Sequence, residues 1–141
     1  MFTPSRDEAR RFLVDAWAKY RAAQPLSALE QVAVTTVARH PEYHALLEDA
    51  ERHIDRDYAP ALGETNPFLH LSLHVAIAEQ LAIDQPPGIR AHFERLAAAR
   101  GDEHAALHAI LDCLGETLHD AQRRGVGPDA SVYLGCLERA R

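Results

Sequence analysis

Prolines constrain the fold of this chain more than any other feature. Eight of them divide the 141 residues into segments, and almost every one falls where a helix would begin. Proline suits the first turn of a helix, because its missing N–H would have no partner there. The segments between the prolines carry apolar residues at helical spacing, without alternating apolar and polar runs. The sequence therefore predicts an all-α protein.

Capping signals locate the predicted helices. Ser5 and Ser27 are each followed three residues later by glutamate, which is the pattern of a capping box. Asn66, Asp102 and Asp129 are suitable N-caps for later helices. The predicted helices cover approximately residues 5–24, 27–37, 41–56, 67–83, 88–100, 103–124 and 129–137. They indicate a compact helical bundle of about six to seven helices in a single domain, residues 1–141.

Charge, apolar runs and cysteines limit the possible partners. A net charge of −6 argues against nucleic acid, because phosphate contacts need a basic face. No apolar run approaches the roughly 18 residues of a membrane span, and the N-terminal residues lack the apolar core of a signal peptide. We therefore expect a cytoplasmic protein without a membrane partner, in which Cys113 and Cys136 are reduced and buried. A homo-oligomer or a protein partner stays open.

Two histidines lie in the most apolar stretch of the chain, from Asn66 to Leu81. His70 and His74 are one helical turn apart, so they project within about 40° of each other at about 100° per residue. A helix that is apolar on nearly every side is expected to be buried. Buried imidazoles need partners, and finding these partners is the functional question.

A second pair, His104 and His108, faces inward on the longest predicted helix, and Asp112 follows one turn later. If short loops connect the helices, 67–83 and 103–124 run parallel and the two histidine pairs stand at the same depth. Histidines at i and i+4 on one face can share a metal ion. The sequence therefore predicts a metal site with these ligands: His70, His74, His104, His108 and Asp112, with Glu116 as an alternative further ligand.

A third pair, His40 and His44, stands at the start of the predicted helix 41–56. If that helix runs antiparallel to helix 67–83, both histidines lie at the end opposite to His70 and His74. His40 also directly precedes Pro41, so we expect it to cap the helix rather than to face the core. We rank this pair below the other two as a source of metal ligands.

Nitrogen ligands favour zinc, iron, copper or nickel over magnesium or calcium, and we expect zinc or iron. An open coordination position would allow hydrolytic or oxidative chemistry, but no reaction is predicted from the residues. The alternative is a small helical structural or adaptor protein whose histidines are buried and structural. The metal content of the protein, purified without an affinity tag, separates these two hypotheses.

Several stretches of this chain are similar to one known family. They are His40–His44, Asn66–Gln80, Ile83–Ile89, His104–Glu116 and the regions around Gln122–Arg123 and Tyr133. On these residues the chain resembles a bacterial family known only as domain of unknown function 1841. The resemblance covers nearly the whole length and implies domain limits, but no activity. Asp112 stands where the family has glutamate in a Glu-Cys-Leu-Gly-Glu stretch, so the carboxylate is kept with a shorter reach.

Overall fold

The computed structural model describes residues 6–54 and 66–141 of the protein. These residues form eight α-helices and one short 3-10 helix, and none of them lies in a β-strand. The elements are α1 (Arg6–Arg21), α2 (Ala28–Ala38), the 3-10 helix (Pro41–Tyr43), α3 (His44–Glu48), α4 (Ala50–His53), α5 (Pro67–Ile83), α6 (Ile89–Arg100), α7 (Glu103–Arg124) and α8 (Ala130–Arg139). The predicted all-α fold is confirmed. The predicted capping box at Ser5 and the predicted loop over 57–65 lie outside the described residues.

Most of the predicted helix ends are where the capping residues put them. Ser27 and Glu30 form a complete capping box: the Ser27 hydroxyl accepts from the Glu30 amide at 3.1 Å, and Glu30 accepts from the Ser27 amide at 2.9 Å. Asn66 and Asp102 accept hydrogen bonds from amides in the first turns of α5 and α7. Gly101 ends α6 with a φ of 69°, a left-handed conformation that suits glycine.

The sequence predicts one continuous helix over residues 41–56, and this prediction is wrong. The structure has a 3-10 turn, the five-residue helix α3 and the four-residue helix α4 in its place. Asp49 separates α3 from α4 with non-helical dihedral angles, φ −117° and ψ 55°. Aspartate disfavours the interior of a helix because its carboxylate competes for nearby backbone amides. The helix is therefore interrupted here, and the assumed antiparallel alignment of one long helix does not apply.

The helices group into two compact units, Met1–Val75 and Ala76–Arg141. In the first unit α1, α2, α3 and the first part of α5 contribute to one hydrophobic core. Its largest fully buried side chains include Leu13, Val37, Phe68 and Leu71. These residues place the N-terminal turns of α5 inside the core, as the apolar sequence predicts.

Arg10 is a buried cation in the core of the first unit. Its Nη1 donates to the carbonyl oxygen of Ile54 at 2.8 Å, and its guanidinium lies 4.7 Å from the centre of the Phe68 ring. A buried guanidinium is costly unless its donors are used, and the face of an aromatic ring attracts a cation. Arg10 thereby connects α1 with the end of α4 and the first turn of α5.

The second unit contains α6, α7, α8 and the second part of α5. Arg95 on α6 donates to the carbonyl oxygens of Leu137 at 2.8 Å and Ala140 at 2.9 Å, so it satisfies the C-terminal end of α8. The buried Tyr133 of α8 donates its hydroxyl to Gln80 of α5 at 2.7 Å. Polar contacts and apolar packing therefore both hold α8 within this unit.

Cys113 on α7 and Cys136 on α8 form a disulfide, with their Cα atoms 5.6 Å apart. The prediction of two reduced thiols is therefore wrong. Nothing in the spacing of the two cysteines reveals that α8 packs on α7 at this point. Within residues 6–54 and 66–141, no helix is both long and apolar enough to cross a membrane. The single domain over residues 1–141 stays a prediction.

Candidate metal centre

His40 occupies the corner between α2 and the 3-10 helix. Its backbone amide donates to Val37 at 2.9 Å, and its dihedral angles, φ −126° and ψ 67°, turn the chain out of α2. The side chain is only 4% exposed. Its Nδ1 lies 2.9 Å from the carbonyl oxygen of Thr36. Because a carbonyl oxygen can only accept, Nδ1 carries a hydrogen and donates it, so in the neutral form of the ring the Nε2 atom of His40 is the one with the lone pair.

His70 and His74 bring two further ring nitrogens to that lone pair. The two residues lie one turn apart on α5, and their Nε2 atoms are 3.2 Å apart. The Nε2 atom of His70 is also 3.2 Å from the Nε2 atom of His40. His74 is 6% exposed and His70 is half-buried. The three Nε2 atoms therefore converge, and we call these residues the histidine triad: His40, His70 and His74.

The two contacts of the His70 Nε2 atom cannot both be good hydrogen bonds at the same time. A neutral imidazole nitrogen either carries one hydrogen or offers one lone pair. The Nε2 atom of His70 lies between two other Nε2 atoms, and one N–H can point along only one of the two contacts. A cation placed between the rings would accept the lone pair of each Nε2 atom instead. The three residues could therefore hold a metal ion.

The spacing between the ring nitrogens agrees with this interpretation. Two imidazole nitrogens at 2.0–2.1 Å from a tetrahedral zinc ion stand roughly 3.3–3.4 Å apart. The two contacts in the triad are both 3.2 Å. One ring nitrogen from each of the three residues lies within 4.8 Å of the other two.

An aromatic ring and a backbone carbonyl beside the triad help to fix its orientation. Tyr43 stacks on the His40 ring, with the ring centres 5.7 Å apart, and meets the His70 ring edge-on at 5.9 Å. Burial, and to a smaller extent the charge of Glu42, raises the pKa of Tyr43, so its hydroxyl stays neutral at physiological pH. The carbonyl end of α2 bonds His40 and carries the partial negative charge of a helix C-terminus.

His44 has a different role from His40. Its Nε2 lies 2.8 Å from the carbonyl oxygen of Val37, and its ring packs against Trp17 with the ring centres 4.6 Å apart. That nitrogen therefore donates to the backbone, as expected of a structural histidine. Of the third histidine pair in the sequence, one member belongs to the triad and the other supports the fold around it.

The sequence predicted part of this arrangement. The structure brings His70 and His74 together as the helical spacing indicates. The expectation that His40 lies at the opposite end is wrong, because His40 follows α2 and its position does not depend on a long helix 41–56. The signal that could have pointed to His40 is its place before Pro41, which holds it outside a helix.

The second predicted ligand pair lies on α7. The rings of His104 and His108 are in contact, with centres 4.2 Å apart, and the Nε2 atom of His108 is buried. The side chains of Asp112 and Glu116 are exposed. Metal ligation by His104, His108 and Asp112 stays a prediction.

The fold and the triad together define the class: an all-α protein with a buried cluster of convergent imidazoles. The chain belongs to the family described as Domain of unknown function (DUF1841), whose model matches residues 5–139. The resemblance read from the sequence motifs is thereby confirmed. No curated protein and no solved structure matches the chain. The family's description names no activity, so the function has to be argued from the site.

Proposed function

We propose that this protein binds one transition metal ion through the Nε2 atoms of His40, His70 and His74. The observation that carries the proposal is the pair of 3.2 Å contacts that converge on the Nε2 atom of His70. Protons satisfy such a cluster poorly, whereas one cation uses every lone pair in it. Each of these two separations suits a pair of nitrogens on one tetrahedral ion.

The ligand chemistry favours zinc or iron(II). Neutral imidazole binds zinc, iron, copper and nickel well, whereas magnesium and calcium prefer oxygen. Thiolate ligands, which would narrow the choice further, are not offered by Cys113 and Cys136, because both are in the disulfide. Zinc has no redox chemistry and accepts tetrahedral nitrogen ligation, so it is the first ion to test.

The hydrogen bond between His40 and the Thr36 carbonyl oxygen also supports metal binding. Metal-bound histidines almost always donate their second ring N–H to a carbonyl, a carboxylate or water, which fixes the tautomer and the ring orientation. His40 donates in this way from Nδ1 to the Thr36 carbonyl oxygen at 2.9 Å. The bond holds the Nε2 lone pair towards the other two histidines before any ion arrives.

The fourth coordination position decides what the ion does. A fourth protein ligand closes the site and makes the ion structural, whereas a water molecule there would give a Lewis acid with a reactive hydroxide. The sequence predicts His104, His108 and Asp112 as further ligands beside His70 and His74. We assign no reaction to the protein, and substitution of His108 distinguishes a closed site from an open one.

A purely structural or adaptor function is the second candidate, and His44 is the observation that favours it. This histidine bonds a backbone carbonyl and packs on Trp17, which shows that the chain uses at least one histidine for its fold. Under this hypothesis the triad would be bonded through protons alone, and no ion would bind with useful affinity.

Direct titration of the metal-free protein separates the two functions. Cobalt(II) is the probe, because its visible absorption reports the number and type of its ligands, and zinc is then added to displace it. We expect saturation at one equivalent and an absorption typical of tetrahedral nitrogen ligation. His40→Ala, His70→Ala and His74→Ala should each abolish tight binding.

Two variants serve as controls in this titration. His119→Ala removes an exposed histidine far along α7, and it should bind as the wild type does. His108→Ala should weaken binding if His108 is the fourth ligand and leave it intact if the position is open. The proposal would be overturned if the wild type gave no saturable cobalt signal. It would also be overturned if the three triad variants bound cobalt as tightly as the wild type does.

A further inference from the structure

A cleft of about 460 Å³ lies in the first unit, between α1 and the junction of α3 with α4. Its volume is within the range of roughly 300–1,000 Å³ that small-molecule sites occupy. Buried apolar side chains, Val14, Trp17 and Leu47, contribute to its lining. Charged residues of both signs complete it. The cleft is thus a concave surface lined by apolar and charged side chains in similar measure.

One wall of this cleft is held in place by Glu48. Its Oε2 accepts from the indole nitrogen of Trp17 at 3.4 Å, and its Oε1 lies 3.3 Å from the Arg21 guanidinium. The Trp17 ring is fixed further by stacking on Tyr20, with the ring centres 5.2 Å apart. These contacts fix the position of α3 against α1, so the lining of the cleft is formed before a ligand binds.

Two other charges that line the cleft are not used in this way. Arg11 on α1 and Glu51 on α4 are both exposed, and neither makes a hydrogen bond or an ion pair with the described part of the chain. A guanidinium binds carboxylates through two parallel hydrogen bonds, and a carboxylate binds an ammonium group. The two residues therefore offer one site for each sign of charge, on different helices.

We propose that this cleft binds a zwitterionic amino compound with an apolar body, either a free amino acid such as leucine or a short peptide. Arg11 binds the carboxylate of the ligand, Glu51 binds its ammonium group, and the apolar side chain lies against Val14, Trp17 and Leu47. The mixture of charges disfavours nucleic acid, which needs a uniformly basic surface. The proposal does not depend on the metal centre.

Trp17 provides the readout, because it is the only tryptophan in the chain. Its fluorescence is recorded while leucine, leucyl-leucine or N-acetyl-leucinamide is added to the full-length, metal-free protein. The third compound has the same apolar side chain as leucine but no charge. We expect a saturable change with leucine or with leucyl-leucine, and the stronger of the two identifies the ligand as an amino acid or a peptide. N-acetyl-leucinamide should produce no saturable change.

Substitutions at the exposed charges test the assignment without disturbing the core. Arg11→Ala and Glu51→Gln should each weaken binding roughly tenfold, the effect of losing one charge-assisted contact. Arg39→Ala and Glu42→Gln are matched controls, since both residues are exposed and lie outside the cleft lining. Both control variants should bind as the wild type does.

Amino acids also bind metal ions, so binding in the cleft has to be distinguished from binding to an ion at the histidine triad. The titration is therefore repeated with His70→Ala. Retained binding in this variant shows that the ligand does not bind at the histidine triad, and the Arg11 and Glu51 variants then locate it in the cleft. The inference is overturned if no zwitterion gives a saturable signal at millimolar concentration, if the uncharged compound binds equally well, or if Arg11→Ala and Glu51→Gln both bind like the wild type.

Discussion

Zinc should stabilise the folded protein strongly, and the triad allows the size of the effect to be worked out. Without an ion, only one of the two contacts to the Nε2 atom of His70 can be a good hydrogen bond, worth about 1 kcal/mol. An ion that binds only the folded state adds about 4.1 kcal/mol at a free concentration of about 1,000 times its Kd. For a chain of nearly this length, about 2–4 °C per kcal/mol converts this to a Tm increase of roughly 8–16 °C.

The assay is a thermal melt of metal-free protein in zinc buffers that set the free ion concentration, followed by reversal with a chelator. His74→Ala removes one nitrogen and also packing around a residue that is 6% exposed, so its own melting temperature will be lower in any case. The informative quantity is therefore the shift that zinc causes within each variant. We expect almost no shift for His74→Ala and a full shift for the exposed control His119→Ala.

Two results would refute this reasoning. The first is a wild-type Tm that does not change with zinc or with iron(II), since a bound ion must stabilise the state that binds it. The second is an equal zinc shift in the wild type and in His74→Ala, which would locate the ion at another site.

Three further predictions concern stability in the second unit. Burial raises the pKa of Tyr133, so the folded state keeps a proton that the unfolded state loses above about pH 10. The wild type therefore loses stability relative to Tyr133→Phe as the pH rises through 10, and the difference between their urea midpoints should shrink. Arg95→Ala should lower the free energy of unfolding by about 1–2 kcal/mol, because two carbonyl groups at the end of α8 lose their donor; an unchanged urea midpoint would contradict this. Hydrogen bonds from the amides of Arg90 and Gly88 lower the pKa of Asp84, so the ionised carboxylate stabilises the fold above about pH 4 and this stabilisation is lost at lower pH. The urea midpoint of Asp84→Asn should therefore approach that of the wild type on acidification.

The parts of the fold that were predictable depend on local signals. The ends of α2, α5, α6 and α7 follow from capping residues and prolines, whose effects extend over a single turn. The placement of His70 beside His74 follows from helical periodicity in the same way. A sequence contains this information without any knowledge of the tertiary structure.

The parts that were missed depend on contacts between distant residues. His40 reaches the triad because α2 ends where it does and the chain turns at Pro41, so no repeat along the sequence reveals it. The break at Asp49 is one weak helix residue in an otherwise helical pattern. Cys113 and Cys136 come together only because α8 packs on α7. The mistaken position of His40 came directly from treating residues 41–56 as one helix.

The metal content of the isolated protein tests the central claim most directly. The chain is produced without an affinity tag, because a histidine tag would bind metal itself, and the purified protein is analysed for zinc, iron, copper and nickel. We predict close to one equivalent of a single transition metal in the wild type and in His119→Ala, and almost none in His40→Ala, His70→Ala or His74→Ala. Metal-free wild type that also takes up none when zinc or iron(II) is added, or a full equivalent in the three triad variants, would contradict the account.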